Sequence, residues 1–126
     1  MKTRFVYTGI RVKDMTESVE FYTNLLGMKL LRRHKIDKTK GEIAVLTSEN
    51  QDFYLELNWY EKDSPYYVDY TVGEALDHLA FQVKDLGLAL KEASEKGYQT
   101  VAEVKTSDNR WVYIRDPNGI WIELYE

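Results

Sequence analysis

The sequence predicts an α+β chain of two tandem β-α-β-β-β modules related by a pseudo-two-fold duplication. Three observations carry this reading. Tyr7-Thr8-Gly9-Ile10-Arg11-Val12-Lys13-Asp14 lines up with His78-Leu79-Ala80-Phe81-Gln82-Val83-Lys84-Asp85, and both stretches end in Val-Lys-Asp. A helical stretch follows each, and then a glycine at nearly the same offset, Gly27 in one half and Gly97 in the other. Each half closes on a similar strand, Phe53-Tyr54-Leu55-Glu56-Leu57 and Ile120-Trp121-Ile122-Glu123-Leu124. The 126 residues read as a single domain: module 1 over 1–59, a linker over 60–76, and module 2 over 77–126.

Taken in order, residues 4–13 alternate as a strand, with Val6, Thr8, Ile10 and Val12 on one face and Phe5, Tyr7, Gly9 and Arg11 on the other. Thr16 is the expected N-cap of a helix in which Met15, Val19, Tyr22, Leu25 and Leu26 fall at helical spacing, and Gly27 stops it. Strands are expected over 28–36, 41–48 and 52–59. The linker carries Pro65, Gly73 and several tyrosines. The second half repeats the order: a strand over 77–84, a helix over 86–96 ended by Gly97, and strands near 99–104, 109–115 and 119–125. Asp116-Pro117-Asn118-Gly119 joins the last two as a turn.

Strand parity then assigns faces. Leu79, Phe81 and Val83 point one way, so His78, Ala80 and Gln82 point the other. Ile120, Ile122 and Leu124 leave Trp121, Glu123 and Tyr125 opposite. Glu56 shares a face with Tyr54 and Asn58, and Tyr7 with Arg11. The apolar faces can pack under the helix of their own half. The remaining faces, carrying Tyr7, Glu56, His78 and Glu123, would form one cupped mixed sheet if the halves pair.

Composition narrows the function. Net charge is −4, which argues against a nucleic-acid partner. The basic run Arg32-Arg33-His34-Lys35 lies near Asp37 and Glu42 and reads as a solvated strand and turn. No stretch approaches the roughly 18 apolar residues of a membrane span, and no signal-peptide pattern opens the chain, so a cytoplasmic protein is expected. Without cysteine there is neither a disulfide nor a thiolate metal site. Glu56 and Glu123 are the acids inside apolar and aromatic strands, at equivalent places in the duplicated unit. Two carboxylates gathered on one concave surface repel and lose hydration. A divalent cation removes that penalty, and a histidine nitrogen suits such an oxygen and nitrogen site. Ordinary solvated acids and a hydrogen-bonded histidine are the other reading of the same residues.

The chain also resembles a known family. Tyr7-Thr8-Gly9-Ile10-Arg11-Val12, with Ser18-Val19-Glu20-Phe21-Tyr22-Thr23-Asn24-Leu25-Leu26-Gly27-Met28-Lys29-Leu30, resembles the opening of glyoxalase I (lactoylglutathione lyase). Leu55-Glu56-Leu57, His78-Leu79-Ala80-Phe81-Gln82-Val83 and Asp116-Pro117-Asn118-Gly119-Ile120-Trp121-Ile122-Glu123-Leu124 extend the likeness over nearly the whole chain. The combination is similar to the vicinal oxygen chelate superfamily, which includes glyoxalase I, methylmalonyl-CoA epimerase, extradiol dioxygenases and bleomycin-resistance proteins.

The resemblance implies a metal held by Glu56, His78 and Glu123, with Tyr7 standing where glyoxalase I has histidine or glutamine. A phenol, with a reference pKa of about 10, ligates only if the metal takes its proton. Tyr7 therefore binds, yields its place to water, or marks a site that has lost its metal. Ni²⁺, Zn²⁺, Co²⁺ and Mn²⁺ all suit the donors. The implied reaction is isomerisation of the hemithioacetal of a 2-oxoaldehyde and a thiol through an enediolate. Glu123 is the preferred base and Glu56 the second candidate. The implied substrate residues are Arg11, matching an arginine that holds the glutathione carboxylate, and Asn58; Trp111, Tyr113, Trp121 and Tyr125 either wall the pocket or are ordinary aromatic strand residues. Asn58 follows Glu56 by two residues where the family has asparagine after four, a place taken here by Tyr60. The resemblance further implies a homodimer whose sites take Tyr7 and Glu56 from one chain and His78 and Glu123 from the other. A metal-dependent epimerase and a metal-free binding protein of the bleomycin-resistance type are the alternatives. An extradiol dioxygenase needs two histidines, and His34, the only other one, lies outside the duplicated positions.

Overall fold

The computed structural model describes residues 1–126 except 26, 50–51, 72–73 and 116–120, and omits the side chains of Phe21 and Leu25. The elements run β1 (Thr3–Arg11), α1 (Met15–Glu20), β2 (Lys29–Ile36), β3 (Gly41–Thr47), β4 (Tyr54–Tyr60), β5 (Leu76–Val83), α2 (Leu86–Glu95), β6 (Ala102–Lys105), β7 (Arg110–Arg115) and β8 (Trp121–Tyr125). This is the expected α+β chain of two tandem β-α-β-β-β modules. Leu26, Gly73, Ile120 and the turn Asp116-Pro117-Asn118-Gly119 lie outside the described residues.

The chain divides into two compact units: an N-terminal one over Thr8–Asp77, and a C-terminal one in which Met1–Tyr7 join His78–Glu126. In the N-terminal unit β1 runs parallel to β4, from Thr8 beside Leu55 to Arg11 beside Asn58, and β3 and β2 add on antiparallel. In the C-terminal unit β5 runs parallel to β8, from His78 beside Trp121 to Gln82 beside Tyr125, and β7 and β6 add on antiparallel. The two modules thus share one topology, with first and last strands paired in parallel.

The identical Val-Lys-Asp has a structural cause. Asp14 accepts the Glu17 N–H over 2.8 Å, and Asp85 accepts the Leu88 N–H over 2.8 Å. Each aspartate satisfies a donor that the first helical turn leaves without an intrahelical partner. The N-cap of the first helix is therefore Asp14, not Thr16. The carboxylate one residue before the helix reaches the third helical N–H, whereas Thr16 is already inside the helix. That helix is also shorter than expected: α1 gives way to a π-helical turn over Phe21–Leu25, where the Thr23 hydroxyl bonds the Val19 carbonyl. Gly27 and Gly97 take φ values of +70° and +89°, the left-handed conformation that ends a helix at little cost only with glycine.

Each unit buries its own core. Met15 and Val19 of α1 pack on Ala44, Leu46 and Leu57, with Ile10, Leu55 and Trp59 around them. Leu86 and Ala89 of α2 pack with Val83, Val112 and Leu124, and with Phe81 and Ile122 beside them. The apolar strand faces therefore lie under the helix of their own module, as parity requires. Leu46 and Leu57 have no exposed surface, and truncating such a residue to alanine costs about 2–5 kcal/mol. The basic residues of β2 are exposed, and Arg33 pairs with Glu42. Among the described residues, no helix is long and apolar enough to cross a membrane.

Candidate functional site

In the C-terminal unit, parity turns His78 and Glu123 away from the α2 core, and β1 carries Tyr7 to them. Tyr7 Oη donates to Glu123 Oε1 over 2.7 Å, and Tyr113 Oη donates to Glu123 Oε2 over 2.5 Å. His78 Nε2 stands 3.1 Å from Tyr7 Oη and 3.4 Å from Glu123 Oε2. His78 is 2% exposed and Glu123 3%, so both polar groups depend on these partners. A phenol has one proton to give, and Tyr7 gives it to the carboxylate. Nε2 of His78 is accordingly the donor toward the Tyr7 oxygen. The His78 ring stands edge-on to both tyrosines, 5.5 Å from Tyr7 and 5.6 Å from Tyr113. Trp121 lies 5.5 Å from Tyr113. Burial, then the charge of Glu123, pushes the Tyr125 phenol above its ordinary range, and Arg4 pulls it back.

Of the expected metal ligands, Tyr7, His78 and Glu123 meet. Tyr7 reaches these residues within its own chain. Glu56 belongs to the N-terminal unit, 8% exposed in β4. Among the described residues, no three His, Cys, Asp or Glu side chains gather into a group that would hold a metal ion.

The expected substrate residues separate. Arg11 is engaged by the chain itself: its guanidinium donates to the Tyr66 carbonyl over 2.5 Å, lies 3.6 Å from Asp77 and stacks 5.0 Å over the Tyr60 ring. The Arg11 N–H bonds the Ala75 carbonyl, and Tyr70 donates to the Arg11 carbonyl over 3.3 Å. Burial raises the pKa of the Tyr66 phenol. Asn58, 2% exposed, donates to the Glu56 carbonyl over 3.4 Å and accepts from Tyr60 over 3.5 Å. Trp111 and Tyr125 line a cavity of about 320 Å³ beside the start of α2, with Lys105 and Arg110. Tyr113 faces Glu123 instead. Tyr66 had no signal in the sequence, because the linker that supplies it follows no period; Asp77 opens β5, where strand parity does not name an ion-pair partner. Tyr113 had a signal, since it alternates with Val112 and Ile114 along its strand.

A family model described as Glyoxalase/Bleomycin resistance protein/Dioxygenase superfamily matches residues 4–124. The lactoylglutathione lyase of Salmonella typhimurium is 32% identical over 130 residues, covering 98% of this chain and 92% of that protein. The lactoylglutathione lyase of Escherichia coli O157:H7 is 33% identical over 131 residues, with the same two shares covered. Among solved structures, methylmalonyl-CoA epimerase from Mycobacterium tuberculosis is similar with a TM-score of 0.80 and 25% identity, covering 97% of this chain and 86% of that one.

Proposed function

This chain belongs to the glyoxalase/bleomycin resistance/dioxygenase superfamily, and within it we propose a glyoxalase I-like enzyme that isomerises the hemithioacetal of a 2-oxoaldehyde and a thiol. The observation that carries the reading is Glu123: a carboxylate 3% exposed, bonded on both oxygens by phenols and set 3.4 Å from a histidine nitrogen. Glu123 takes the proton from the hemithioacetal carbon, leaving an enediolate, and returns it to the neighbouring carbon, while the hydroxyl proton passes from the first oxygen to the second to give the 2-hydroxy thioester. Tyr7 and Tyr113 hold the carboxylate in position, and the protein around them keeps bulk water from the site. The lactoylglutathione lyase relatives support this chemistry.

Tyr7 Oη, His78 Nε2 and the Glu123 oxygens lie 2.7–3.4 Å apart. Neighbouring ligands of an ion bound at about 2.0–2.2 Å stand roughly 3 Å apart, so these donors fit one face of a divalent site. Such an ion (Ni²⁺, Zn²⁺, Co²⁺ or Mn²⁺) would stabilise the negative charge that develops on substrate oxygen. For His78 to hold it, Nε2 must give up the proton it directs at Tyr7. Glu56 enters as a ligand and second base by resemblance alone.

A metal-dependent epimerase acting on a CoA thioester is the second reading. It uses the same proton removal beside a carbonyl, and the likeness to the Mycobacterium tuberculosis enzyme favours it. Incubation with methylglyoxal and glutathione, following thioester absorbance, tests the first reading. Deuterium uptake into methylmalonyl-CoA tests the second. Thioester formation lost in Glu123→Gln supports the lyase, and deuterium uptake without thioester formation replaces it with the epimerase.

We infer a homodimer as the working form, because Leu30 and Leu31 of the edge strand β2 are 41% and 48% exposed. Light scattering at micromolar concentration checks it, and a monomeric mass rejects it.

A further inference from the structure

In the N-terminal unit, where β1 and β4 end side by side, the chain after β4 folds back to line an open cavity of about 300 Å³. Trp59, Tyr60, Tyr67 and Tyr70 line it, with Arg11, Lys13, Lys62, Asn58 and Asp69 as its polar groups. The charges do not cancel. Arg11 has Asp77 beside it, and Asp69 accepts the Tyr67 phenol over 2.7 Å. Lys13 lies 5.4 Å over the Tyr70 ring, and among the described residues neither Lys13 nor Lys62 pairs with a carboxylate. On a chain of net charge −4 this is a local positive excess. Asn58 adds an independent sign. Its amide is almost fully buried, yet its two bonds, at 3.4 and 3.5 Å, are the longest a hydrogen bond allows. A buried amide so weakly satisfied has donor capacity left for a ligand.

We propose that this cavity binds a small anion that carries a planar ring, with its acid group paired by Lys13 and Lys62 and its ring among the aromatic side chains. Arg11 is not the anchor, because the Tyr66 carbonyl, Asp77 and the Tyr60 ring already engage it. Aromatic walls with a few convergent polar groups are the usual make-up of a small-molecule site, and about 300 Å³ is at the lower end of their size. Phosphate and carboxylate share the required charge, so the acid group comes from a nucleoside monophosphate or from an aromatic carboxylate.

Isothermal titration of the full-length protein with adenosine 5′-monophosphate, 4-hydroxybenzoate, adenosine and inorganic phosphate tests the proposal. At least one ring-bearing anion should bind at micromolar concentration, and which one does identifies the acid group. Adenosine and inorganic phosphate should each bind at least about 10-fold more weakly. Lys13→Gln combined with Lys62→Gln should weaken the binding by about 10-fold or more, the loss expected for charged contacts worth 1.4 kcal/mol. Arg110→Gln, in the cavity beside the start of α2, should leave it unchanged. Glu123→Gln should also leave it unchanged, so this site and the proposed isomerase activity stand or fall separately. Binding weaker than millimolar for both ring-bearing anions, equal binding of adenosine or bare phosphate, or full binding in the double variant would each overturn it.

Discussion

Tyr113 stands directly across the β7–β8 ladder from Glu123 and gives it a phenol hydrogen bond of 2.5 Å. Tyr7 reaches the other oxygen of the same carboxylate from β1. A buried carboxylate so held has one orientation, which is what a group that must return a proton to the adjacent carbon requires.

Tyr113→Phe keeps the ring and removes the donor. A hydrogen bond to a charged group is worth about 1.5–3 kcal/mol, so urea denaturation should show a loss at the lower end of that range. The kcat of any isomerase activity should fall by about 10-fold with KM little changed.

Glu123→Gln removes the proposed base but leaves an isosteric group between the two phenols. Turnover should drop by about 10²–10⁴ while circular dichroism stays that of wild type. Unchanged turnover would assign the proton transfer to another residue.

Tyr7→His should tighten Ni²⁺ or Zn²⁺ binding, since imidazole ligates without deprotonating a phenol. His78→Ala should weaken it by about 10-fold or more. Titration calorimetry on the three proteins reads both effects. Equal affinity for wild type and Tyr7→His would remove Tyr7 from the ligand set.

The twin caps predict matched stability losses. Asp14→Ala and Asp85→Ala should each cost about 1 kcal/mol, and Thr16→Ala much less. Chemical denaturation of the three variants decides whether Asp14 or Thr16 caps the first helix.

Glu92 supplies a pH dependence. Bonding by Lys96, and then by the N-terminal ammonium, lowers its pKa from 4.5 to about 2. A depressed carboxyl stabilises the fold fully above its unfolded value and loses that contribution as pH falls toward the folded one. The melting-temperature gap between wild type and Glu92→Gln should hold at neutral pH and close between about pH 4.5 and 2. A gap that persists at pH 2 would assign the effect to packing.

Much of this was legible because alternation along a strand has a single meaning. The parity of β5 and β8 set His78 and Glu123 on the face away from α2, and the structure keeps them there. The repeated Val-Lys-Asp was visible as an echo, but not as a pair of caps, because Thr16 and Asp14 are both good capping residues and only the helix start separates them. The contact between Tyr113 and Glu123 depends on hairpin register, which a shift of one residue would undo. Arg11's partner Tyr66 comes from the linker, where no period exists to read.

Strand β1 serves two bodies: Thr3–Tyr7 count with the C-terminal unit and Thr8–Arg11 with the N-terminal one. The boundary between the repeats and the boundary between the compact units are therefore different lines. A gene fragment encoding 77–126 would carry the whole second repeat yet lack Phe5, which stands edge-on to Phe81 at 5.5 Å, and Tyr7, which donates to Glu123. A split version of the protein would need its first strand supplied in trans, and an N-terminal fusion would load the one strand common to both halves. The duplicated unit that is readable in the sequence is therefore not the compact unit of the fold.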